Sequence, residues 1–227
     1  MAKFNVNIRQ CLCQHARHSR PNNMGLSLVE VVATIVMTGI ILAFMAPPIL
    51  ISVGTRFQNR RGQQAQLLAQ QEIDRVQAAM ARGDDTLSPP ELGAGNPAES
   101  AAAPTQFVNN RASATNPTYA FEQDIDGDGR TDFFVQRFRD EGVDFTAGIE
   151  QGQLAVFQMG VRVYTLEAKK TVDAGVTLET DQAPLGLTAG IGKQATQPLA
   201  VLFSEISRSD RELSLEEYKR YCNKYCK

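Results

Sequence analysis

Residues 24–30 read Met24-Gly25-Leu26-Ser27-Leu28-Val29-Glu30, and the segment that follows decides the fold. Residues 31–55 are Val-Val-Ala-Thr-Ile-Val-Met-Thr-Gly-Ile-Ile-Leu-Ala-Phe-Met-Ala-Pro-Pro-Ile-Leu-Ile-Ser-Val-Gly-Thr, with no charged side chain. A helix needs about 20 apolar residues to cross a bilayer, so this run is long enough. It is longer than the apolar part of a secretory signal peptide. A soluble core helix of this length would carry a polar stripe, and this one does not. The segment predicts a single membrane span.

Working outward, the first 25 residues hold Lys3, Arg9, Arg17, Arg20, both histidines (His15 and His18) and no acid. The rest of the chain then carries 19 basic against 25 acidic residues. An acid-free basic flank favours a cytoplasmic N-terminus. The margin is narrow, because Arg56, Arg60 and Arg61 follow the span. Across all 227 residues, 43% are hydrophobic and 21% charged, which excludes full disorder and a polytopic membrane protein. A formal net charge of -2 supplies no basic field for non-specific nucleic-acid binding.

Glu30 stands just inside the apolar helix. A carboxylate costs on the order of 2.5–3.5 kcal/mol at the centre of a span and less near its end, so Glu30 calls for water or a partner. The register of glycine, apolar residue and glutamate after a basic leader resembles the type IV prepilin signal, shared by pilins and the pseudopilins of type II secretion. That resemblance implies that a prepilin peptidase cuts between Gly25 and Leu26 on the cytoplasmic side and N-methylates Leu26. It makes Glu30 the assembly residue, neutralising the new amine of a neighbouring subunit, since a paired charge in a low-dielectric bundle is tolerated and an unpaired one is not. The family usually has Phe and Thr where this chain has Leu26 and Ser27. Gly39 and Pro47 fall where the family's helix is often unwound. Pro47 and Pro48 each lack an N–H, so a break or kink is expected there.

In residues 56–82, Ala65, Leu68 or Ala69, Glu72 or Ile73, Val76 and Met80 recur at three- and four-residue steps. That is one face of an amphipathic helix, and Gly83 with Asp84 and Asp85 stops it. Two readings follow: one helix from about Leu26 to Arg82, or two broken at Pro47–Pro48. Residues 83–118 hold five of the ten prolines and read as a loop with little regular structure. Residues 133–138, 154–166 and 199–206 read as strands, and 168–197 as a loop. The expected fold is α+β and pilin-like: a long N-terminal helix, transmembrane in its first half and amphipathic in its second, packed on a small antiparallel head. The expected divisions are 1–25 leader, 26–55 span, 56–82 amphipathic helix, 83–118 loop and 119–227 head.

Residues 124–135 read Asp-Ile-Asp-Gly-Asp-Gly-Arg-Thr-Asp-Phe-Phe-Val. Acids at loop positions 1, 3, 5 and 9 with glycine at 6 match the start of a calcium loop. Asp124, Asp126, Asp128 and Asp132, with the Arg130 carbonyl, are the candidate ligands of a structural calcium. Val135 stands where an EF-hand has glutamate. The alternative is an acidic turn between strands. Cys11 and Cys13 lie in the leader. Cys222 and Cys226 share a face if the tail is helical, either as a disulfide or as two free thiols. With both histidines in the leader, a processed chain has no Ser-His-Asp or Cys-His arrangement, and no phosphate-binding glycine loop or HExxH is present. The expectation is a non-enzyme.

Ala46-Pro47-Pro48, Gly54 through Arg61, Gly160-Val161-Arg162-Val163-Tyr164 and the 198–206 strand resemble the hormogonium polysaccharide secretion pseudopilins of filamentous photosynthetic bacteria, the B-type above all. The resemblance implies a minor fibre subunit serving polysaccharide export or gliding. Its partners would be the prepilin peptidase, other pilin-like subunits and an inner-membrane assembly platform. It implies a single-pass inner-membrane protein with its head outside the cytoplasm, later part of a pseudopilus. A minor pseudopilin of protein secretion or DNA uptake is the alternative. So is a membrane-anchored calcium-binding module that never polymerises.

Overall fold

The computed structural model describes residues 27–146, 152–184, 190–208 and 214–226. Gly25 and Leu26, the expected processing site, lie outside the described residues, as does the leader. The chain is α+β and divides into two compact units, Met1–Pro48 and Ile49–Lys227.

The helix α1 (Leu28–Ala81) runs through both units' boundary. Its segment Leu28–Met45 is long and apolar enough to cross a membrane and is wholly exposed. Two threonines inside it hide their hydroxyls in the helix. Thr34 Oγ1 donates to the Val31 carbonyl at 2.8 Å, and Thr38 Oγ1 to the Thr34 carbonyl at 2.7 Å. In an apolar medium this back-bonding removes the cost of an unpaired hydroxyl.

Gly39, Pro47 and Pro48 do not interrupt the helix, so the expected unwinding is corrected. Each proline forfeits one hydrogen bond, but its fixed φ of about −65° is already helical. Among the described residues the single-helix reading is the one realised, over Leu28–Ala81.

In the second unit, α1 buries Ala65, Leu68, Ala69, Glu72, Ile73, Val76, Ala79 and Met80, the face expected from the spacing. Burying Leu68, Ile73, Val76 and Met80 contributes on the order of 10 kcal/mol before entropy is counted.

The sheet comprises β1 (Gln106–Val108), β2 (Tyr119–Gln123), β3 (Phe133–Arg139), β4 (Val143–Asp144), β5 (Leu154–Thr165) and β6 (Ala200–Ser207). β5 pairs antiparallel with β3 and β4 on one side and with β6 on the other. β2 pairs antiparallel with β3, and β1 runs parallel to β2, so the sheet is mixed where an antiparallel one was expected. Phe157, Met159, Val161 and Val163 of β5 join the α1 core.

The alternate residues of β5 face a second layer, and this explains why β5 is buried along nearly its whole length. The expected loop 83–118 supplies part of that layer. Ala98 and Ala101 pack with Phe138, and Ala103 packs with Phe134 and Tyr164. Short 3-10 turns at Asp85–Leu87, Ala98–Ser100 and Arg111–Ser113 shape the segment. Its alanines let backbone approach the sheet closely, and buried polar side chains then collect the carbonyls. Arg162 Nη1 donates to the Ala101 carbonyl at 2.8 Å, with its guanidinium over the Phe138 ring. Its cross-strand neighbour Gln136 donates Nε2 to the Ala102 and Pro117 carbonyls, each at 2.7 Å. Gly160 is required here, because an added Cβ would collide with the Phe138 ring.

The expected loop 168–197 is also corrected. It contains most of α2 (Leu166–Asp173) and all of α3 (Gly190–Lys193). The last element is α4 (Ser214–Tyr225).

Candidate functional site

Three places carry the residues singled out above. The first is the start of α1. Ser27 precedes it, and the Glu30 amide donates to the Ser27 carbonyl at 2.9 Å and to Ser27 Oγ at 3.3 Å. Ser27-Leu28-Val29-Glu30 is thus a Ser-x-x-Glu helix start, in which the serine side chain satisfies a first-turn amide. This signal was present in the sequence and went unread there. It gives Glu30 a local role, since a carboxylate in the first turn is favoured by the helix dipole. Among the described residues no side chain pairs with the Glu30 carboxylate.

The second place is the acidic loop joining β2 to β3. The hairpin is closed by the Asp132 amide donating to the Gln123 carbonyl at 3.0 Å. Gly127 (φ 78°) and Gly129 (φ 80°) occupy the left-handed region that glycine adopts without strain. These turns point amides inward. Gly127 N–H donates to Asp124 Oδ1 at 2.7 Å and Gly129 N–H to Asp124 Oδ2 at 2.8 Å. Those two bonds hold the Asp124 carboxyl below the usual carboxylate range. Asp126 accepts from the Asp128 amide at 3.1 Å, and Asp128 from the Arg130 amide at 2.8 Å.

One oxygen from each of Asp124, Asp126 and Asp128 lies within 4.8 Å of the others. Calcium binds oxygens at about 2.3–2.6 Å, so two ligands on opposite sides of one ion stand about 4.6–5.2 Å apart. The three carboxylates therefore fit a common coordination sphere. Asp132 is not in that group. Its Oδ2 accepts from the Ile125 amide at 2.9 Å and ties the two ends of the loop together.

The third place is α4. Burial of Tyr221 fixes how the helix sits, and its hydroxyl donates to Asp140 Oδ2 at 2.7 Å. Asp140 Oδ1 accepts from the Gln158 amide at 3.0 Å. Burial pushes the Asp140 carboxyl above the usual range in spite of these bonds. Glu217 accepts from Thr146 N–H at 3.1 Å and Oγ1 at 2.7 Å and pairs with Arg220. Lys224 pairs with Glu141 at 2.7 Å. Cys222 lies on this helix and Cys226 just past its last residue, both as free thiols with their sulfurs 2.7 Å apart.

A charged group within the α1 packing was half-read in the sequence as "Glu72 or Ile73", and both are buried. Arg111 Nε donates to Glu72 Oε2 at 2.8 Å, and its Nη2 bonds Oε1. The Arg111 guanidinium also lies over the Phe121 ring.

No known family model matches the chain, and no curated protein or solved structure is significantly similar to it.

Proposed function

We propose that this chain is a minor structural subunit of a type IV pilus-like fibre or pseudopilus, processed after Gly25 and assembled through its N-terminal helix. One observation carries the reading: a glycine–glutamate register opens an apolar helix, and the same helix continues into the buried face of an α+β head. In this reading Leu28–Met45 lies in the membrane before assembly and among neighbouring helices afterwards. The head lies outside the cytoplasm. A prepilin peptidase, other pilin-like subunits and an inner-membrane assembly platform are its partners, and polysaccharide export or gliding is the service. Glu30 stands in the first turn of α1, and in this reading a neighbour's N-methylated amine pairs with it there.

The Asp124–Asp126–Asp128 group holds a structural calcium in this account, fixing the β2–β3 hairpin. The chain's own contribution there is three convergent carboxylates on a loop whose amides already orient Asp124.

Glu30→Ala tests the assembly role. Removing a charge favours insertion, so the variant should reach the membrane in wild-type amount. Its recovery in sheared fibres, or in cross-linked subunit ladders, should fall at least several-fold. Wild-type recovery in fibres would leave Glu30 as a helix-start residue alone.

A further inference from the structure

We infer that Cys222 and Cys226 form an oxidisable pair that closes to a disulfide at the C-terminal end of α4. The pair is independent of the fibre reading and of the acidic loop. The Cys226 amide donates to the Cys222 carbonyl at 2.9 Å, which carries the helical turn one residue beyond α4. Residues four apart in a helix have Cα atoms about 6 Å apart, inside the 4.4–6.8 Å range of disulfides. Their Cβ atoms stand about 5–6 Å apart, against the roughly 3.5–4.5 Å a disulfide needs. Closure must therefore draw the chain end inward, which the position of Cys226 past the last residue of α4 permits. Tyr221, buried and bonded to Asp140, holds the helix rotation. That rotation leaves Cys222 half-buried and Cys226 exposed, with the Cys226 thiol donating to Cys222 Sγ.

A bridging metal fits less well. Two thiolates on a tetrahedral zinc, at about 2.3 Å each, stand nearly 4 Å apart, and the ion needs two more ligands. Among the described residues, the convergent group of three acid, histidine or cysteine ligands is the aspartate loop.

The oxidant is a disulfide donor, of the glutathione kind or an oxidised protein dithiol. Cys222 Sγ, as thiolate, attacks one donor sulfur. The donor S–S bond breaks, one donor thiolate leaves, and a mixed disulfide forms. Cys226 then loses its proton to solvent and attacks the Cys222 sulfur, displacing the second donor thiolate. The two protein thiols give up two electrons and two protons in all, and the donor disulfide becomes two thiols. The hydrogen bond to Cys222, with desolvation and the nearby Glu205 carboxylate adding to it, pushes the Cys226 thiol up to about 11. That hold on the proton ends once Cys222 is in the mixed disulfide, so closure follows the thiolate fraction of an ordinary cysteine and should quicken with pH below about 8.5.

Trypsin reads this pair apart from Cys11 and Cys13, because Lys224 lies between the two cysteines. It yields Tyr221–Lys224 and Tyr225–Lys227 as separate peptides unless a disulfide joins them. The full chain in detergent is equilibrated at pH 8 with about 1 mM each of reduced and oxidised glutathione, then alkylated, digested and weighed. Thiols held in contact exceed the millimolar effective concentration of a flexible tether, so the joined peptide should exceed the alkylated pair by about ten to one. The protein should stay monomeric on a non-reducing gel, and closure should be about tenfold slower at pH 7. Two separately alkylated peptides, glutathione retained on Cys226, or a joined peptide found only in dimers would overturn the inference. So would protection of both thiols by added zinc.

Discussion

Glu72→Ala probes the junction between α1 and the head. Glu72 is 1% exposed and takes two hydrogen bonds from Arg111, which is 22% exposed. Buried Arg137 is the second cation that feels it. Burial pulls the Arg137 guanidinium down to about 10, and Glu72 is the opposing influence that favours its charge. Alanine at 72 leaves both guanidiniums, and the more exposed Arg75 that stands 3.6 Å from Glu72, without this carboxylate. Removing one partner of a buried ion pair costs about 3–5 kcal/mol. Partial solvent access at Arg111 puts the loss near the lower end, about 3 kcal/mol. For a unit of this size each kcal/mol moves Tm by about 2–4 °C, so a fall of about 6–12 °C is expected. Near-UV circular dichroism of the detergent-extracted full chain is the suitable assay. Its signal comes from packed tyrosines such as Tyr164 and Tyr221, whereas a far-UV melt would be dominated by α1. Adding Arg111→Ala should cost less than the sum of the single changes, because the two residues share one interaction. A Tm within about 1 °C of wild type for Glu72→Ala would refute the buried-pair reasoning.

Two further outcomes follow. The folded Asp140 carboxyl titrates above its unfolded value, so the fold binds that proton more tightly. The resulting stability is full below about pH 3.9 and is lost as pH rises through the folded value. Asp140→Asn keeps the neutral form throughout, so its Tm relative to wild type should be more favourable at pH 7 than at pH 4; an equal offset at both would contradict this. For the acidic loop, millimolar calcium should raise the Tm above that in chelator, by mass action on the folded state. Asp126→Ala should remove most of that rise, Asp144→Ala should keep it, and magnesium should substitute poorly because it demands tighter octahedral geometry. Equal melting with calcium and chelator would leave residues 124–132 as an acidic turn.

Much of the architecture could be read from periodicity. The 3.6-residue spacing from Ala65 to Met80 marks the buried face of α1, and the apolar runs mark β3, β5 and β6 within a residue or so. Three features could not be read this way, each for a physical reason. The Ala- and Pro-rich segment 83–118 looks like solvent-exposed linker because it has no period. Yet Ala98, Ala101 and Ala103 are buried, because carbonyls captured by Arg162 and Gln136 make irregular backbone tolerable against the sheet. α2 carries charge at Glu167, Lys169, Lys170 and Asp173 and buries only Ala168, so it shows little apolar stripe. Pro47 and Pro48 argue locally for a break, while the helix on both sides argues for continuity, and continuity prevails.

The candidate sites divide similarly. Asp124, Asp126 and Asp128 converge as their spacing implies. Asp132 was legible as an acid at the right position, but its side chain is engaged by the Ile125 amide, a contact that depends on how the hairpin closes. The Asp140–Tyr221 bond links residues 81 positions apart, and no local pattern announces it. Ser27 and Glu30 show the converse. Their Ser-x-x-Glu spacing is an ordinary helix start, and it coincides with the register of the proposed processing signal.

The central claim rests on that register, and the N-terminus of the protein in its own membrane tests it most directly. Protein extracted from the membrane fraction is sequenced from its N-terminus and weighed intact. The account predicts a chain that begins at Leu26 with a methylated amine, and a Gly25→Ala variant that keeps its leader. A wild-type chain that still begins at Met1, with no species starting at Leu26, would contradict it.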